Sequence, residues 1–222
     1  MKLLILDTET TGLNPQREEI IEIAASLFHV ESRSVLASLS TLITPQKTKN
    51  SAQHINKISD EALAATSAVV GSAALAMLKN MATECDYIVA HNAEFDRRFL
   101  EKYPSLNFGG KTWLCSMKDL SLGSAKKLTE LALECGVPVT RVHRADSDVD
   151  LLCRIFENTS NLTELVREAT QPKIIVEALV SFEDKDKAKI AGFTWDKERR
   201  GWFKEMPKGK YVAKHFDFDT QI

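Results

Sequence analysis

The chain has 222 residues, 44% of them hydrophobic and 27% charged, with 29 Lys and Arg against 31 Asp and Glu for a formal net charge of −2. That length accommodates one full domain plus a small appendage. The balance excludes a disordered or polybasic polypeptide, and it neither demands nor forbids a nucleic-acid partner.

The N-terminal apolar run 3–6 is too short for a signal peptide, and no segment approaches membrane-spanning length, so a cytoplasmic protein without membrane contact is expected. A continuous short apolar run predicts a central strand buried on both faces. Gly12, Asn14 and Pro15 mark a loop. Residues 20–30 and 34–44 then read as two more strands, completing an antiparallel meander. Ser59, followed by Asp60 and Glu61, opens a short helix as N-cap with acids in the first turn. Residues 69–81 predict a helix, 87–90 a second buried strand, 93–101 a helix and 112–115 a short strand. A helix over 127–135 stops at Gly136 and Pro138.

The last helix of this series covers 146–156. Its wheel puts Asp148, Val149, Leu152, Cys153 and Phe156 on one side and turns Asp150 and Arg154 away. A short helix near 162–168 ends before Gln171 and Pro172. Strand, meander, then alternating helix and strand imply an α/β domain with a mixed sheet over residues 1–170. Residues 173–222 read as a separate α+β module: a strand at 174–180, a helix at 184–191 capped by Gly192, and a hairpin pairing 193–195 with 201–205. Cys85, Cys115, Cys135 and Cys153 are far apart, with no Cys-x-x-Cys pair, which fits reduced and mostly buried thiols.

Four acids in three islands stand at the ends of apolar elements: Asp7 and Glu9, Asp96, and Asp148. Carboxylates so placed are costly to desolvate alone and are expected to pair or to hold a cation. Several hard oxygen ligands suit Mg²⁺ or Mn²⁺. Asp7 and Glu9, two apart on a strand, face the same way and can reach one ion, or Asp7 can bridge two. Two such ions flank the attacking and leaving oxygens of a phosphodiester. His143, five residues before Asp148, is placed to take a proton from the attacking water. Ordinary surface acids are the bland alternative, and Asp146 and Asp150 are read that way.

These islands resemble the three motifs of the DnaQ-like 3′→5′ exonucleases, the DEDDh branch of the ribonuclease H-like superfamily. They are Asp7-Thr8-Glu9-Thr10-Thr11-Gly12-Leu13, His91-Asn92-Ala93 with Phe95-Asp96, and His143 with Asp148. The resemblance covers roughly residues 1–160. It implies a ribonuclease H-like mixed sheet flanked by helices and hydrolysis with two Mg²⁺ or Mn²⁺ ions, releasing 5′-nucleotides from DNA 3′ ends in repair or processing. Carried over by position, Asp7, Glu9 and Asp148 hold the first ion, Asp7 bridges to the second, Asp96 supports that second ion, and His143 is the general base. Thr10, Leu13, Asn92 and Phe95 match positions that line the terminal nucleotide. The family's Ile-His-x-Ile-Thr segment has a departure here, with Asn56 where histidine is usual; an altered grip with intact chemistry is expected.

The partner implied is nucleic acid with a free 3′ end, DNA favoured. Rivals are an RNA-trimming exonuclease, against which Thr10 speaks because oligoribonucleases usually carry Met there, a polymerase proofreading subunit, and an inactive nucleic-acid-binding module. Arg97 and Arg98 are read equally as phosphate contacts or as solvated helix residues. In the C-terminal module, residues 183–214 hold ten Lys and Arg against six Asp and Glu. Aromatics beside those cations suit base stacking, whereas the small size of the module favours Trp195 and Trp202 as core.

Overall fold

A computed structural model of the chain describes every residue except 47, 48, 104, 105, 107, 109, 141, 142, 213 and 214, and the side chain of Lys210. The chain divides into two compact units, Met1–Leu165 and Val166–Ile222.

The first unit begins with the expected meander: β1 (Lys2–Thr10), β2 (Ile20–His29) and β3 (Ser34–Leu42). Helices α1 (Gln53–Asn56), α2 (Asp60–Ala64) and α3 (Ala68–Glu84) lead to β4 (Tyr87–Ala90). Then come α4 (Ala93–Leu100), β5 (Thr112–Cys115), α5 (Leu128–Glu134), α6 (Ala145–Asn158) and α7 (Leu162–Ala169). The division between units falls inside α7. The sheet order is β3-β2-β1-β4-β5, with β1–β2 and β2–β3 antiparallel and β1–β4 and β4–β5 parallel. This is the mixed α/β sheet expected.

The central strand is longer than its apolar run. Pairing with β2 continues from Lys2 to Thr10 across an irregularity between Glu9 and Thr10, so Asp7 and Glu9 belong to the strand. Alternation then decides which helix each residue meets. Leu4 and Leu6 pack with Leu78, Met81 and Phe99 of α3 and α4. Leu3, paired with Phe28, lies on the other face, where Phe28 meets Phe156 of α6 edge to face at 5.8 Å. Asp7 therefore points to the α6 side and Thr8 to the α4 side.

Helix α6 departs from the single apolar stripe read from its wheel, since Leu151 and Ile155 are buried as well as Val149, Leu152, Cys153 and Phe156. It packs on β1, β2 and β3, and α5 covers a further flank. Asp150 is exposed, as its wheel position implies. Ser59 caps α2 by accepting from the Ala62 N–H at 3.1 Å. All four cysteines are free thiols, and among the described residues no helix is long and apolar enough to cross a membrane.

The second unit holds β6 (Lys173–Leu179), α8 (Lys185–Ile190), β7 (Thr194–Asp196), β8 (Gly201–Pro207) and β9 (Asp219–Gln221). Its sheet order is β7-β8-β6-β9, antiparallel throughout. Strand β9 has no apolar alternation and went unread in the sequence. The core is Val176, Ala178, Ala188 and Phe193, with Trp202, Met206, Tyr211, Phe216 and Phe218 packed against it. Trp202 fits the core reading, but Trp195 does not: it is 49% exposed. Its strand is the sheet edge, and the C-terminal phenylalanines have already filled the interior around Phe193.

Candidate metal centre

Strand β1 and helix α6 deliver three carboxylates to one point. Asp7 and Glu9 leave the same face of β1, and Asp148 enters from the first turn of α6. One ligand oxygen from each lies within 4.8 Å of the others. Among the described residues no donor bonds the carboxylate of Asp7 or Glu9. Burial and mutual repulsion have the expected effect. Burial raises Asp7 well above the usual carboxylate range, helped by the charges of Asp96, Asp148, Glu9 and Glu22. Glu9 is pushed up to about 8 by burial and then by Asp148. Asp148 is raised to about 6 by burial, with His143 opposing.

Asp96 approaches from α4 on the opposite side of β1. One of its oxygens accepts from the Thr8 backbone N–H at 2.9 Å and from the Thr8 hydroxyl at 2.8 Å. It is buried, which raises it to about 7 while the Thr8 bonds pull it down. Asp96 is outside the three-oxygen cluster, though its charge raises both Asp7 and Glu9. Four ionisable acids thus share a small volume, and among the described residues only Asp96 and Asp148 receive compensating donors. Protons or cations must neutralise them, and the hard-oxygen donor set suits a divalent ion.

His143 occupies an exposed loop position with a left-handed backbone, φ 59°. Its backbone hydrogen-bonds the Asp148 carboxylate, so the loop is tied to the acidic cluster. The next residue anchors the loop. Arg144 makes a bidentate pair with Glu22 of β2, at 2.8 Å from Nε and 2.5 Å from Nη2, and the Ala145 N–H donates to the same carboxylate at 3.0 Å. Glu22 lies opposite Glu9 in the sheet. Glu22 is not among the expected site residues, although a single acid inside the largely apolar run 20–30 is a legible signal.

Leu13, Asn92 and Phe95 come together. With Pro15, Phe99 and Lys118 they line a pocket of about 220 Å³. Leu13 is 82% exposed, and Asn92 enters α4 in the left-handed conformation, φ 66°. Phe95 packs on Phe99 with ring centroids 4.9 Å apart. Thr10 is placed differently: its side chain is buried, and its hydroxyl donates to the Gly12 carbonyl at 2.7 Å. A Cβ on Gly12 would stand 2.9 Å from the Glu18 carboxyl carbon, so this turn has room only for glycine unless Glu18 moves. His91 is turned away to Ser116 and the Lys126 carbonyl, both at 2.9 Å. Arg97 and Arg98 pair with Glu101 and Glu94 one turn away, and Arg98 also reaches the pocket. A separate cavity of about 710 Å³ is lined by none of these four acids.

Asn56, expected to alter the grip on the nucleotide, has a structural part. Fully buried, it donates to the Thr10 carbonyl at 3.2 Å and accepts from Asn50 Nδ2 at 2.9 Å and from the Ile58 N–H at 3.1 Å. The Ser51 hydroxyl donates to the Thr11 carbonyl at 2.5 Å. Segment 50–58 therefore clamps the backbone at the end of β1, between the acidic cluster and Leu13.

The model of a family described as Exonuclease matches residues 4–156. The DNA polymerase III subunit epsilon of Treponema pallidum is 31% identical, over 68% of this chain and 72% of that one. The PolC-type DNA polymerase III of Thermotoga petrophila is also 31% identical over 69% of this chain, which spans only 11% of its length. Among solved structures, Exonuclease X in complex with 5′ overhanging duplex DNA superposes with a TM-score of 0.54 at 26% identity, covering 73% of this chain and 93% of that one.

Proposed function

Because the chain belongs to the DnaQ-like exonuclease family and is a metal-dependent 3′→5′ exonuclease, we propose that it removes 5′-nucleotides from DNA 3′ ends, single strands most readily, with two Mg²⁺ or Mn²⁺ ions. The carrying observation is the cluster of Asp7, Glu9 and Asp148 oxygens within 4.8 Å. Ligand distances of about 2.0–2.1 Å put oxygens on one ion no more than about 4.2 Å apart, so the cluster draws in on binding.

Asp7, Glu9 and Asp148 would hold the first ion. Asp7 would bridge to the second, which Asp96 supports from its Thr8 anchorage. When bound, the ions make a water acidic enough to attack phosphorus at neutral pH and stabilise charge on the leaving oxygen. The protein's own contribution is placement. Phe95 and Leu13 receive the terminal nucleoside, while Asn92 offers a polar contact at the α4 start. His143 accepts the proton of the attacking water from a loop open to solvent, to which it can then pass it. The Glu22–Arg144 pair keeps that loop and the α6 start in register with β1.

DNA as substrate is supported by the polymerase relatives and by the DNA-bound neighbour. The test is digestion of matched 3′-labelled DNA and RNA oligomers with and without chelator. Mononucleotide release from DNA, abolished by chelator and by Asp7→Ala, is expected. Turnover by the Asp7→Ala protein would defeat the assignment, and faster RNA digestion would move it to RNA trimming. A proofreading role is a second reading, favoured by the epsilon relative; stable co-elution with a replicative polymerase subunit would support it.

A further inference from the structure

Among its described residues the second unit leaves the aromatic rings of Phe182 and Trp195 uncovered. The turn after β6 presents Phe182, 77% exposed, and the edge strand β7 presents Trp195. Together with Leu179, Lys185, Arg200 and Trp202 they line a cleft of about 430 Å³. Trp195 and Trp202 face each other across the β7–β8 pair with centroids 5.6 Å apart and planes at 65°. That contact supports the Trp195 ring from one side and leaves the rest of it open.

The cations at this cleft are not matched by acids among the described residues. Neighbouring charges are matched within their own turns, Lys187 with Asp184, Lys189 with Asp186 and Arg199 with Asp196. Lys185 and Arg200 make no ion pair among the described residues. Lys185 Nζ lies 3.8 Å from the Phe182 ring centroid. The one acid in the lining, Glu177, is engaged by the Gln221 amide at 2.5 Å. Exposed rings flanked by unpaired cations match a flat π-face attached to an anionic backbone.

We propose that this cleft is a second binding site for single-stranded nucleic acid, an unpaired base stacking on Trp195 and Phe182 while Lys185 and Arg200 take the adjoining phosphates. The proposal rests on nucleic acid as the substrate class, which the local excess of cations over residues 183–214 matches in sign. A strand held there stays tethered to the chain that trims it, which raises its effective concentration at the metal centre.

The test uses the full-length protein in EDTA, so that binding is read without turnover. The probe is fluorescein-labelled oligothymidylate of roughly 20 nucleotides, longer than single-strand sites of about 4–16 nucleotides. Trp195→Ala and Phe182→Ala each weaken binding by roughly five- to hundredfold, whereas Trp195→Phe retains most of it. Arg200→Ala lowers the slope of log K against log salt by about 0.7. All four variants hydrolyse the nitrophenyl ester of thymidine 5′-monophosphate, which carries a single base, at the wild-type rate with metal. Unchanged oligonucleotide affinity in both alanine variants, with melting temperatures intact, overturns the proposal. A concentration-dependent dimer lost on Trp195→Ala also overturns it, assigning the cleft to a second copy. An inactive wild-type protein that binds oligothymidylate through Trp195 would instead count against the nuclease reading and leave this site standing.

Discussion

In the absence of metal, replacing Asp148 by Asn should make the protein more stable, though it destroys the enzyme. Asp148 is raised from 3.8 to about 6 in the folded chain. A shift of about two units corresponds to roughly 3 kcal/mol against the ionised form, and the partial exposure of the site trims this to about 1–2 kcal/mol. Asn keeps the shape and can still accept the bond from the His143 backbone. The metal-free variant should therefore melt about 2–8 °C above the wild type at pH 8, since 1 kcal/mol is worth about 2–4 °C at this size. The sign with pH follows from linkage. A raised folded pKa favours the fold below 3.8, and that advantage is lost as pH rises through about 6. The gap between variant and wild type should thus be near zero at pH 3.8, open between there and about 6, and stay level above. Saturating Mg²⁺ or Mn²⁺ should reverse the ranking, because a ligand at 100 times its Kd adds about 2.7 kcal/mol to a protein that binds it. Thermal melts in EDTA and in metal across this pH range decide the matter. A metal-free variant no more stable than wild type at pH 8, or a gap indifferent to pH, would refute the idea that crowded carboxylates await a cation.

His143→Ala should lower turnover by about 10²–10⁴ while leaving the metal-induced rise in melting temperature intact; loss of both would make His143 a structural residue. Glu22→Gln breaks the bidentate pair to Arg144 and should cost about 2–4 kcal/mol in chemical denaturation, with a weaker metal response because Asp148 and His143 lose their anchor. Asn56→Ala orphans the Ile58 N–H and the amide bond to the Thr10 carbonyl, so a loss of about 2–4 kcal/mol is expected. Its KM for oligonucleotide should rise as the Thr10–Leu13 turn loosens, and an unaltered KM would limit the clamp to stability.

Much of the first unit was legible because its signals are local. Four consecutive apolar residues mark a doubly covered strand wherever it sits, and β4 and β5 occupy the ranges 87–90 and 112–115 read from the sequence. The acids announced themselves by standing beside such runs, and the single-file order of three motifs tied them to one chemistry. What the chain order could not convey is which side of β1 each partner approaches. Alternation sends Asp7 to α6 and Thr8 to α4, so Asp148 closes the three-oxygen cluster while Asp96 is held on the far side by Thr8. Glu22 and Arg144 are 122 residues apart, and only the sheet register brings them together. Asn56 stands where the family usually has histidine, and only the fold shows its amide buried against Thr10, Asn50 and Ile58. Trp195 was read as core from the small size of its module, yet the interior was filled by Phe216 and Phe218 from the far end of the chain. Local composition dictates elements and the identity of reactive groups; the competition of distant side chains for a limited interior decides which of those groups stay free to act.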